Sequence, residues 1–346
     1  MIKWVKTREC KEEDILAEDI VNEAGTVIAK KYTLLNHYII SILHHFGISR
    51  VKILCNKSSL ELNQEQCYAM VKGQYKENIQ SVKEVLCNLV ADNNLQMDKL
   101  EDIVNHACGY MEDTYSIVKV MNEEKEFDEY TYTHSINVAI YAMLIGKWMK
   151  LDQKSIQKLI VAGLLHDVGK MKIPYDVLNK KSKLTDAEFA LLKKHPEFGY
   201  DIVKEQNGIS EDISRAVLLH HERMDGSGYP YHCAGEDINL YARIIAVADV
   251  YDAITTNRVY KSKRTPFEAF NIFKTEEVKN MDPRIVHAFI TNISIHYVGM
   301  NVLLNTGEVG KIVYIPPQSV SNPIVGLNHD YIDLSKDQEK NIVKVV

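Results

Sequence analysis

Amphipathic helical segments follow one another between about residues 127 and 295. Two helix starts are marked by capping boxes, Thr185-Asp-Ala-Glu188 and Thr265-Pro-Phe-Glu268, in which side chains satisfy backbone N–H groups at the helix end. Apolar residues recur at helical spacing through the same region. The sequence therefore predicts an all-helical core domain, and the whole chain is predicted to be mainly α.

Shorter segments flank this helical domain on both sides. The chain divides into a predicted N-terminal α/β module at 1–57, a helical connector at 58–126, the helical domain at 127–295 and a β appendage at 296–346. In the first segment, a helical run from Leu34 to Phe46 stops at Gly47. In the last segment, glycines separate two β-like runs, Asn301 to Leu304 and Lys311 to Ile315.

Composition excludes several classes of partner. The chain carries 41 basic and 47 acidic residues, a formal charge of −6, which argues against a surface for nucleic-acid polymers or anionic membranes. Its apolar stretches are too short to cross a bilayer, and its beginning lacks the apolar core of a signal peptide. Six cysteines without a CxxC pair are typical of reduced thiols. We expect a cytoplasmic protein without membrane insertion.

Five histidines and two aspartates stand out in the helical region. They lie on or near the ends of predicted helices: His134, His166, Asp167, His195, His220, His221 and Asp249. Imidazole nitrogens and carboxylate oxygens without thiolates form a hard ligand set that suits Fe, Mn, Zn or similar divalent ions. The adjacent side chains of His166 and Asp167 can converge only where a helix ends, and Gly169 supports an end there. The pattern predicts a metal site.

A second carboxylate, that of Asp252, follows Asp249 by about one helical turn on a segment predicted from about Leu240 to Thr255. Because the two side chains share a helix face, one can bind metal while the other points to substrate. The alternative is a pair of solvated helix carboxylates. The apolar run Ile244 to Val247 indicates instead a buried helix, in which an unpaired charge is costly.

Two motifs carry a resemblance to a known family. The segment His166-Asp167-Val-Gly-Lys170 is similar to the HD signature of the HD superfamily of metal-dependent phosphohydrolases. The segment His220-His-Glu-Arg-Met-Asp-Gly-Ser-Gly-Tyr-Pro230 resembles the HHExxDGxGYP motif of its HD-GYP subfamily. The resemblance covers about residues 127 to 295. It implies a phosphodiesterase that hydrolyses cyclic di-GMP to linear pGpG through a hydroxide activated by two metals, with further cleavage to GMP left open.

The resemblance also implies roles for individual residues. One divalent ion would be held by His134, His166, Asp167 and Asp249, and the second by Asp167, His195, His220 and His221. Substrate contacts fall on Asp252, Arg258 and Lys261, and catalytic roles on Asp167 and Lys170, the latter beside the bridging hydroxide. We expect two divalent metal ions, Fe or Mn first, with Zn, Mg, Ni or Co as alternatives.

The chain departs from the family pattern at three positions. Tyr130 stands where some related enzymes have a glutamate that helps to hold a third metal, and neither Asp128 nor Glu129 has its angular position on a helix. This favours a two-metal site. Asn257 and Val259 stand where aspartate and proline are common, near the expected substrate contacts.

Asn257 and Val259 motivate an alternative to catalysis. The chain would then be a regulatory module that binds a cyclic dinucleotide, or recruits a partner, with little turnover. Another alternative is a phosphodiesterase for a different cyclic dinucleotide, such as cyclic GMP-AMP. The Gly226 to Pro230 loop is a candidate surface for a diguanylate cyclase or another protein, and the helical connector favours a homodimer.

Overall fold

The computed structural model of this chain describes most of its residues. Outside the description lie residues 1, 13, 23–26, 30, 32, 34, 55–57, 124–129, 181, 257–263, 276–279, 328–329 and 338, together with the side chains of residues 58–64 and 130. The chain forms two compact units. One comprises residues 1–70 and 291–346, and the other comprises residues 71–290.

Helices make up most of the described chain. They are α1 (His37–His45), α2 (Ser58–Asp92), α3 (Met97–Gly109), α4 (Thr114–Glu123), α5 (Tyr130–Trp148), α6 (Gln153–Leu165), α7 (Tyr175–Leu178), α8 (Asp186–Leu192), α9 (His195–Val203), α10 (Glu211–Leu219), α11 (Leu240–Thr255), α12 (Pro266–Ile272) and α13 (Pro283–Ser294). The mainly α class predicted from the sequence is confirmed. Among the described residues, no helix combines the length and apolar character needed to cross a membrane.

The strands belong to small antiparallel sheets near the two chain ends. They are β1 (Ile2–Lys6), β2 (Ile15–Leu16), β3 (Ile20–Val21), β4 (Val27–Ala29), β5 (Arg50–Leu54), β6 (Asn301–Leu304), β7 (Val309–Tyr314), β8 (Ile324–Leu327), β9 (Asp330–Asp333) and β10 (Ile342–Val345). One sheet has the order β1-β5-β2, a second the order β10-β6-β7-β8-β9, and β3 pairs with β4. In β5, Val51 and Ile53 are buried while Arg50 is exposed, which is the two-residue period of a one-sided strand.

The first compact unit joins regions that the sequence analysis treats as separate, the segments 1–57 and 296–346. Helix α1 brings Tyr38 against two tyrosines of the five-stranded sheet, with ring centroids 5.9 Å from both Tyr314 and Tyr331. No local pattern in the sequence reports such a contact, because the paired residues lie about 280 positions apart.

The core of the second unit is built around α5, which packs against α6 and α11. Residues from Ile136 to Ile145 are all buried, so this part of α5 is enclosed on every side rather than along one stripe. Gly163 allows α6 to approach α5 closely, since a Cβ atom there would lie 2.6 Å from the Cα atom of Ala139. The two helices run antiparallel through a short connection, which places the first turns of α5 beside the end of α6.

Both predicted capping boxes are present. Thr185 accepts a hydrogen bond from the backbone N–H of Glu188, and the Glu188 side chain accepts one from the Thr185 backbone in return. Thr265 and Glu268 form the same reciprocal pair at the start of α12. The capping boxes in the sequence therefore predicted the starts of α8 and α12 correctly.

The start of α13 is anchored by a buried ion pair that supports a stability prediction. Asp282 is buried and accepts hydrogen bonds from Arg243, at 3.0 Å, and from Arg284, at 2.9 Å. Replacing Asp282 with alanine removes the buried partner of the Arg243 guanidinium. We expect the free energy of unfolding to fall by about 3 kcal/mol, because an uncompensated buried charge is expensive.

Urea denaturation measures this loss, and Glu236 offers the control. Glu236 also pairs with Arg243, at 2.8 Å, but its side chain is 73% exposed. Its replacement with alanine should cost less than about 1 kcal/mol, since exposed ion pairs contribute little. Equal losses in the two variants would show that burial of Asp282 does not determine the stability of this cluster.

Candidate metal centre

The His-Asp pair lies where α6 ends. Helix α6 ends at Leu165, and His166 is its C-cap residue, still with helical backbone angles. A 3₁₀ turn then covers Val168–Lys172. Asp167 has φ −102° and ψ 5°, outside the α-helical conformation. The break brings the Nε2 atom of His166 to 3.3 Å from Oδ2 of Asp167. The expectation that a helix end lets both side chains converge agrees with this geometry.

Gly169 matters at this turn for a reason that the sequence analysis did not identify. A Cβ atom at Gly169 would lie 2.0 Å from the carbonyl oxygen of His195 and 2.5 Å from the backbone nitrogen of Gly199. The glycine therefore permits close approach of the 3₁₀ turn to α9. Through this approach Asp167 Oδ1 comes to 3.2 Å from Nε2 of His195.

Asp167 is shared by two clusters of candidate ligands. In the first cluster, which contains His134, His166 and Asp167, the three ligand atoms lie within 4.8 Å of one another. In the second cluster, which contains Asp167, His195, His220 and His221, the same limit holds. Asp249 adjoins the first cluster, with Oδ1 3.2 Å from Nε2 of His134. The structure thus brings together all seven candidate metal ligands.

Backbone carbonyls orient three of the imidazoles. The Nδ1 atoms of His166, His195 and His220 lie 2.7, 2.8 and 2.7 Å from the carbonyl oxygens of Gly163, Leu192 and Val217, each three residues earlier in the chain. Because a carbonyl oxygen can only accept, each Nδ1 must carry the proton and donate. Each Nε2 lone pair is therefore directed toward the ligand cluster, as in proteins whose histidines bind metal.

Asp252 performs the same task for His134. Its Oδ2 atom lies 2.7 Å from Nδ1 of His134, so the imidazole donates to the carboxylate and presents Nε2 to the first cluster. Asp252 is fully buried, and its Oδ1 accepts from Asn137, at 2.8 Å, and from Thr256, at 3.1 Å. This enclosed position orients His134, whereas the sequence resemblance implies a substrate contact at Asp252.

The pKa values of several cluster residues are shifted toward the protonation states that bind metal. Burial alone would raise the pKa of Asp167, but Lys170, His166 and His134 outweigh it and hold the pKa well below its usual range. The pKa of Asp249 is likewise lowered, since His134 and other imidazoles outweigh the effect of burial. Burial lowers the pKa of His220 and His221 well below that of a free imidazole. Charged carboxylates and neutral imidazoles are the forms that bind divalent metals.

The donor set fits a metal. Among the described residues, Nε2 of His166 and Oδ1 of Asp167 are buried and make no hydrogen bond. Buried polar atoms usually have a partner, and these two atoms face the first and the second cluster respectively, as ligands of a cation would. Nitrogen and oxygen donors without thiolate suit Fe, Mn, Zn and related ions. The residues present could hold a divalent cation in each cluster.

The Gly-Tyr-Pro segment packs directly on the second cluster. The ring of Tyr229 stacks on His221, with centroids 4.6 Å apart and an interplanar angle of 22°. Gly228 permits this fold of the loop, because a Cβ atom there would lie 2.4 Å from the Cα atom of Glu222. Glu222 in turn accepts a hydrogen bond, at 2.7 Å, from the backbone N–H of Tyr231. The motif thus fixes a loop against a candidate ligand.

The remaining predicted residues divide into two groups. Lys170 lies in the site, where its ammonium group pairs with Oδ2 of Asp167 at 2.5 Å and its side chain is 28% exposed. The following lie outside the described residues: Arg258, Lys261, Asn257, Val259, Asp128, Glu129 and the side chain of Tyr130. Their roles stay predictions.

Asn137 and Tyr75 were missed by the sequence analysis. Asn137 is fully buried and its amide links Asp252 to the hydroxyl of Tyr75 on α2. One signal was available, because Asn137 follows His134 by three residues in an otherwise apolar run. Tyr75 carried no signal, since its contact depends on how α2 packs.

The close approach at Gly169 leads to a prediction for metal binding. We expect Gly169→Ala to separate the 3₁₀ turn from α9, because neither the His195 carbonyl nor the Gly199 nitrogen can move as a flexible side chain does. Affinity for metal at the second cluster should fall by at least about tenfold, as for other changes that disturb ligand orientation. Metal titration of the apoprotein measures this.

A glycine in open surroundings provides the control for that variant. Gly73 on α2 is exposed, and a Cβ atom there meets nothing within 4 Å. Gly73→Ala should leave metal affinity unchanged and stabilise the helix by about 1 kcal/mol. Unchanged metal affinity in Gly169→Ala would contradict the role given to the close approach.

The fold and the site together define the class of protein. It is a helical protein of the HD type, with a buried His/Asp cluster that could bind metal. A family model described as HD domain matches residues 84–285, more than half of the chain. The chain therefore belongs to the HD domain family, in the HD-GYP branch that its motifs predict.

Sequence relatives support this membership. The chain is 39% identical over 201 residues to a cyclic di-GMP phosphodiesterase of Pseudomonas aeruginosa, covering 58% of this chain and 48% of that protein. It is 32% identical over 161 residues to a 3'3'-cGAMP-specific phosphodiesterase of Vibrio cholerae, covering 46% of this chain and 31% of that protein. The chain thus spans about half or less of the length of the curated relatives it matches.

A solved structure shows a similar fold. An HDG"Y"P protein from Bdellovibrio bacteriovorus aligns with a TM-score of 0.50 over 84% of this chain and 98% of that one. The sequence identity in this alignment is 16%, so the similarity concerns the fold alone.

Proposed function

We propose that this chain is a phosphodiesterase that hydrolyses cyclic di-GMP to linear pGpG with two divalent metal ions. The observation that carries the proposal is the sharing of Asp167, whose carboxylate oxygens face both ligand clusters. Such sharing is the arrangement needed for two cations to act on one phosphodiester. The sequence similarity to curated cyclic di-GMP phosphodiesterases supports the choice of substrate.

The proposed metals are Fe or Mn, with Zn, Mg, Ni or Co as alternatives, because the donors are hard nitrogen and oxygen atoms. Bound in the two clusters, such ions supply Lewis-acid activation of water and neutralisation of the charge that develops on the phosphate. The first would be held by His134, His166, Asp167 and Asp249, and the second by Asp167, His195, His220 and His221.

Side chains of the protein would prepare and assist this chemistry. The imidazoles that donate to backbone carbonyls hold one tautomer, so their rings need no reorientation when metal ions bind. Lys170 sits on the shared carboxylate and is partly exposed, a position from which its ammonium can donate to phosphate oxygens or to the leaving oxygen. Arg258 and Lys261 are proposed as further phosphate contacts.

The test is hydrolysis by protein reconstituted under anaerobic conditions with Fe or Mn. Chromatography should show cyclic di-GMP converted to pGpG, and chelation of the metal should stop the reaction. Any GMP that appears with time would show a second cleavage. Metal-loaded protein that leaves the substrate intact would overturn the proposal.

A second substrate is favoured by one specific comparison, the similarity to 3'3'-cGAMP-specific phosphodiesterases of Vibrio cholerae. Parallel turnover measurements with cyclic di-GMP and 3'3'-cGAMP separate the two substrates. Under our proposal kcat/KM is higher for cyclic di-GMP. The reverse order would reassign the substrate while keeping the reaction class.

Binding without turnover is the outcome that would indicate a regulatory module. In that case calorimetry would show affinity for the cyclic dinucleotide and chromatography no product. The cytoplasmic location, a homodimer through the helical connector at 58–126 and recruitment of a diguanylate cyclase or another protein by the Gly226 to Pro230 loop stay proposals. In that loop Ser227 is exposed, and so is Tyr231 just after it.

A further inference from the structure

A chain of buried hydrogen bonds leads from α2 to the candidate ligand His134. The hydroxyl of Tyr75 lies 2.7 Å from Oδ1 of Asn137. The amide nitrogen of Asn137 lies 2.8 Å from Oδ1 of Asp252, and Oδ2 of Asp252 lies 2.7 Å from Nδ1 of His134. All four residues are at most 2% exposed. The chain therefore runs through an environment that excludes water.

The chemistry of the groups fixes the direction of every bond in this chain. A carboxylate only accepts, so both His134 and Asn137 must donate to Asp252. The amide of Asn137 is thereby oriented with its carbonyl oxygen toward α2, and the hydroxyl of Tyr75 must donate to that oxygen. Each group is thus held in one orientation by the next one.

Removing the first donor in this chain should loosen the later groups. Without the Tyr75 hydroxyl, the Asn137 carbonyl would be buried without that donor, which is unfavourable. Asn137 could then rotate, and Asp252 would lose one of the donors that hold its carboxylate plane. His134 depends on that plane for the orientation of its ring. Hydrogen-bond partners of metal-binding histidines are known to affect metal affinity.

We propose that Tyr75 and Asn137 are positioning residues for His134, acting through Asp252, and that they raise the affinity of the first ligand cluster for its metal. The inference rests on the metal binding assumed in the proposed function, but not on the identity of the substrate. It assigns a role in the site to α2, which supplies none of the seven candidate ligands.

The protein contains a closely matched control for Tyr75. Tyr110 is also buried, at 1% exposure, and its hydroxyl also bonds the side-chain amide of an asparagine, accepting from Asn78 at 3.0 Å. Within the described part of the chain, Asn78 also contacts His106, and neither Tyr110 nor Asn78 is bonded to a candidate metal ligand. Tyr75→Phe and Tyr110→Phe therefore each remove one buried hydroxyl, and only the first lies on the proposed path.

The experiment is titration of the full-length apoprotein with Co²⁺ under anaerobic conditions, followed by visible absorption with a competing chelator. Two binding steps are expected. Asp252→Asn should weaken one step by about 10- to 100-fold and leave the other nearly unchanged. Tyr75→Phe should weaken the same step by about three- to tenfold, a smaller effect because it acts through two intervening groups. Tyr110→Phe should change neither step.

The double variant Tyr75→Phe/Asp252→Asn distinguishes an effect of Tyr75 transmitted through Asp252 from a general destabilisation of the protein. If Tyr75 acts through Asp252, adding Tyr75→Phe to Asp252→Asn should cause no further loss of affinity. Full additivity, or equal effects of Tyr75→Phe and Tyr110→Phe, would overturn the inference. So would an apoprotein that binds no Co²⁺, which would also remove the metal centre. Normal Co²⁺ titrations without hydrolysis of cyclic di-GMP would instead contradict only the proposed function.

Discussion

Replacement of Asp167 by asparagine is expected to abolish metal binding in both clusters and to reduce hydrolysis by about 10⁴-fold, equivalent to about 5.5 kcal/mol of transition-state stabilisation. The reason is the position of this carboxylate between the clusters, 3.3 Å from Nε2 of His166 on one side and 3.2 Å from Nε2 of His195 on the other. Asparagine keeps the shape but removes the charge that the cations require. No other described candidate ligand belongs to both clusters.

Metal analysis and a hydrolysis assay on the same preparation measure both effects. Asp201→Asn is the matched control, because Asp201 lies on α9 with a side chain that is 63% exposed and paired with Lys204. This control should keep full metal content and activity. An Asp167→Asn protein that retains two metals would refute the sharing on which the proposal depends.

Replacement of Lys170 by methionine is expected to separate metal binding from catalysis. Methionine keeps an unbranched side chain of similar length, so the 3₁₀ turn should persist and both clusters should stay filled. The lost ammonium would otherwise assist proton transfer or hold phosphate oxygens. Turnover should fall by about 10²- to 10⁴-fold, the usual contribution of a general acid or base.

Lys172 supplies the control for this variant, since it lies in the same 3₁₀ turn but its side chain is exposed. Lys172→Met should leave both metal content and turnover unchanged. The comparison is made with metal content and kcat measured on each protein. If Lys170→Met loses activity only in proportion to lost metal, then Lys170 supports binding and has no separate catalytic role.

Most of the helical framework could be predicted because its signals are local. Helix α11 has the predicted bounds Leu240 to Thr255, and the N-caps Thr185 and Thr265 lie where the capping boxes place them. Such signals involve residues within one helical turn of one another, so they depend little on how the rest of the chain packs. The two β-like runs near the C-terminus also correspond to strands β6 and β7.

Features that depend on long-range packing were not predictable in this way. The sequence gives no sign that the terminal regions share one unit, or that β8, β9 and β10 complete a sheet with β6 and β7. The packing role of Gly169 was missed for the same reason. A Cβ atom there would meet the carbonyl oxygen of His195, a residue 26 positions away.

The candidate site likewise contains residues that local motifs predict and residues whose contacts depend on long-range packing. Its ligands could be proposed because motifs fix which residue types occur in which order, and the structure places all seven together. The partners that orient those ligands could not be predicted, since Asn137 bonds to Asp252, and Tyr75 to Asn137, only after folding. Asp252 shows the difference most clearly. Its motif position implies a substrate contact, which stays a prediction, whereas its hydrogen bond to His134 depends on the fold.

Anomalous diffraction at the iron or manganese edge, from crystals of reconstituted protein, would locate the metal ions directly. Two peaks are predicted, with Asp167 contacting both. The first should be surrounded by His134, His166 and Asp249, and the second by His195, His220 and His221. A map without peaks at these residues, or with a single peak that Asp167 does not contact, would show that this carboxylate does not serve two metal ions.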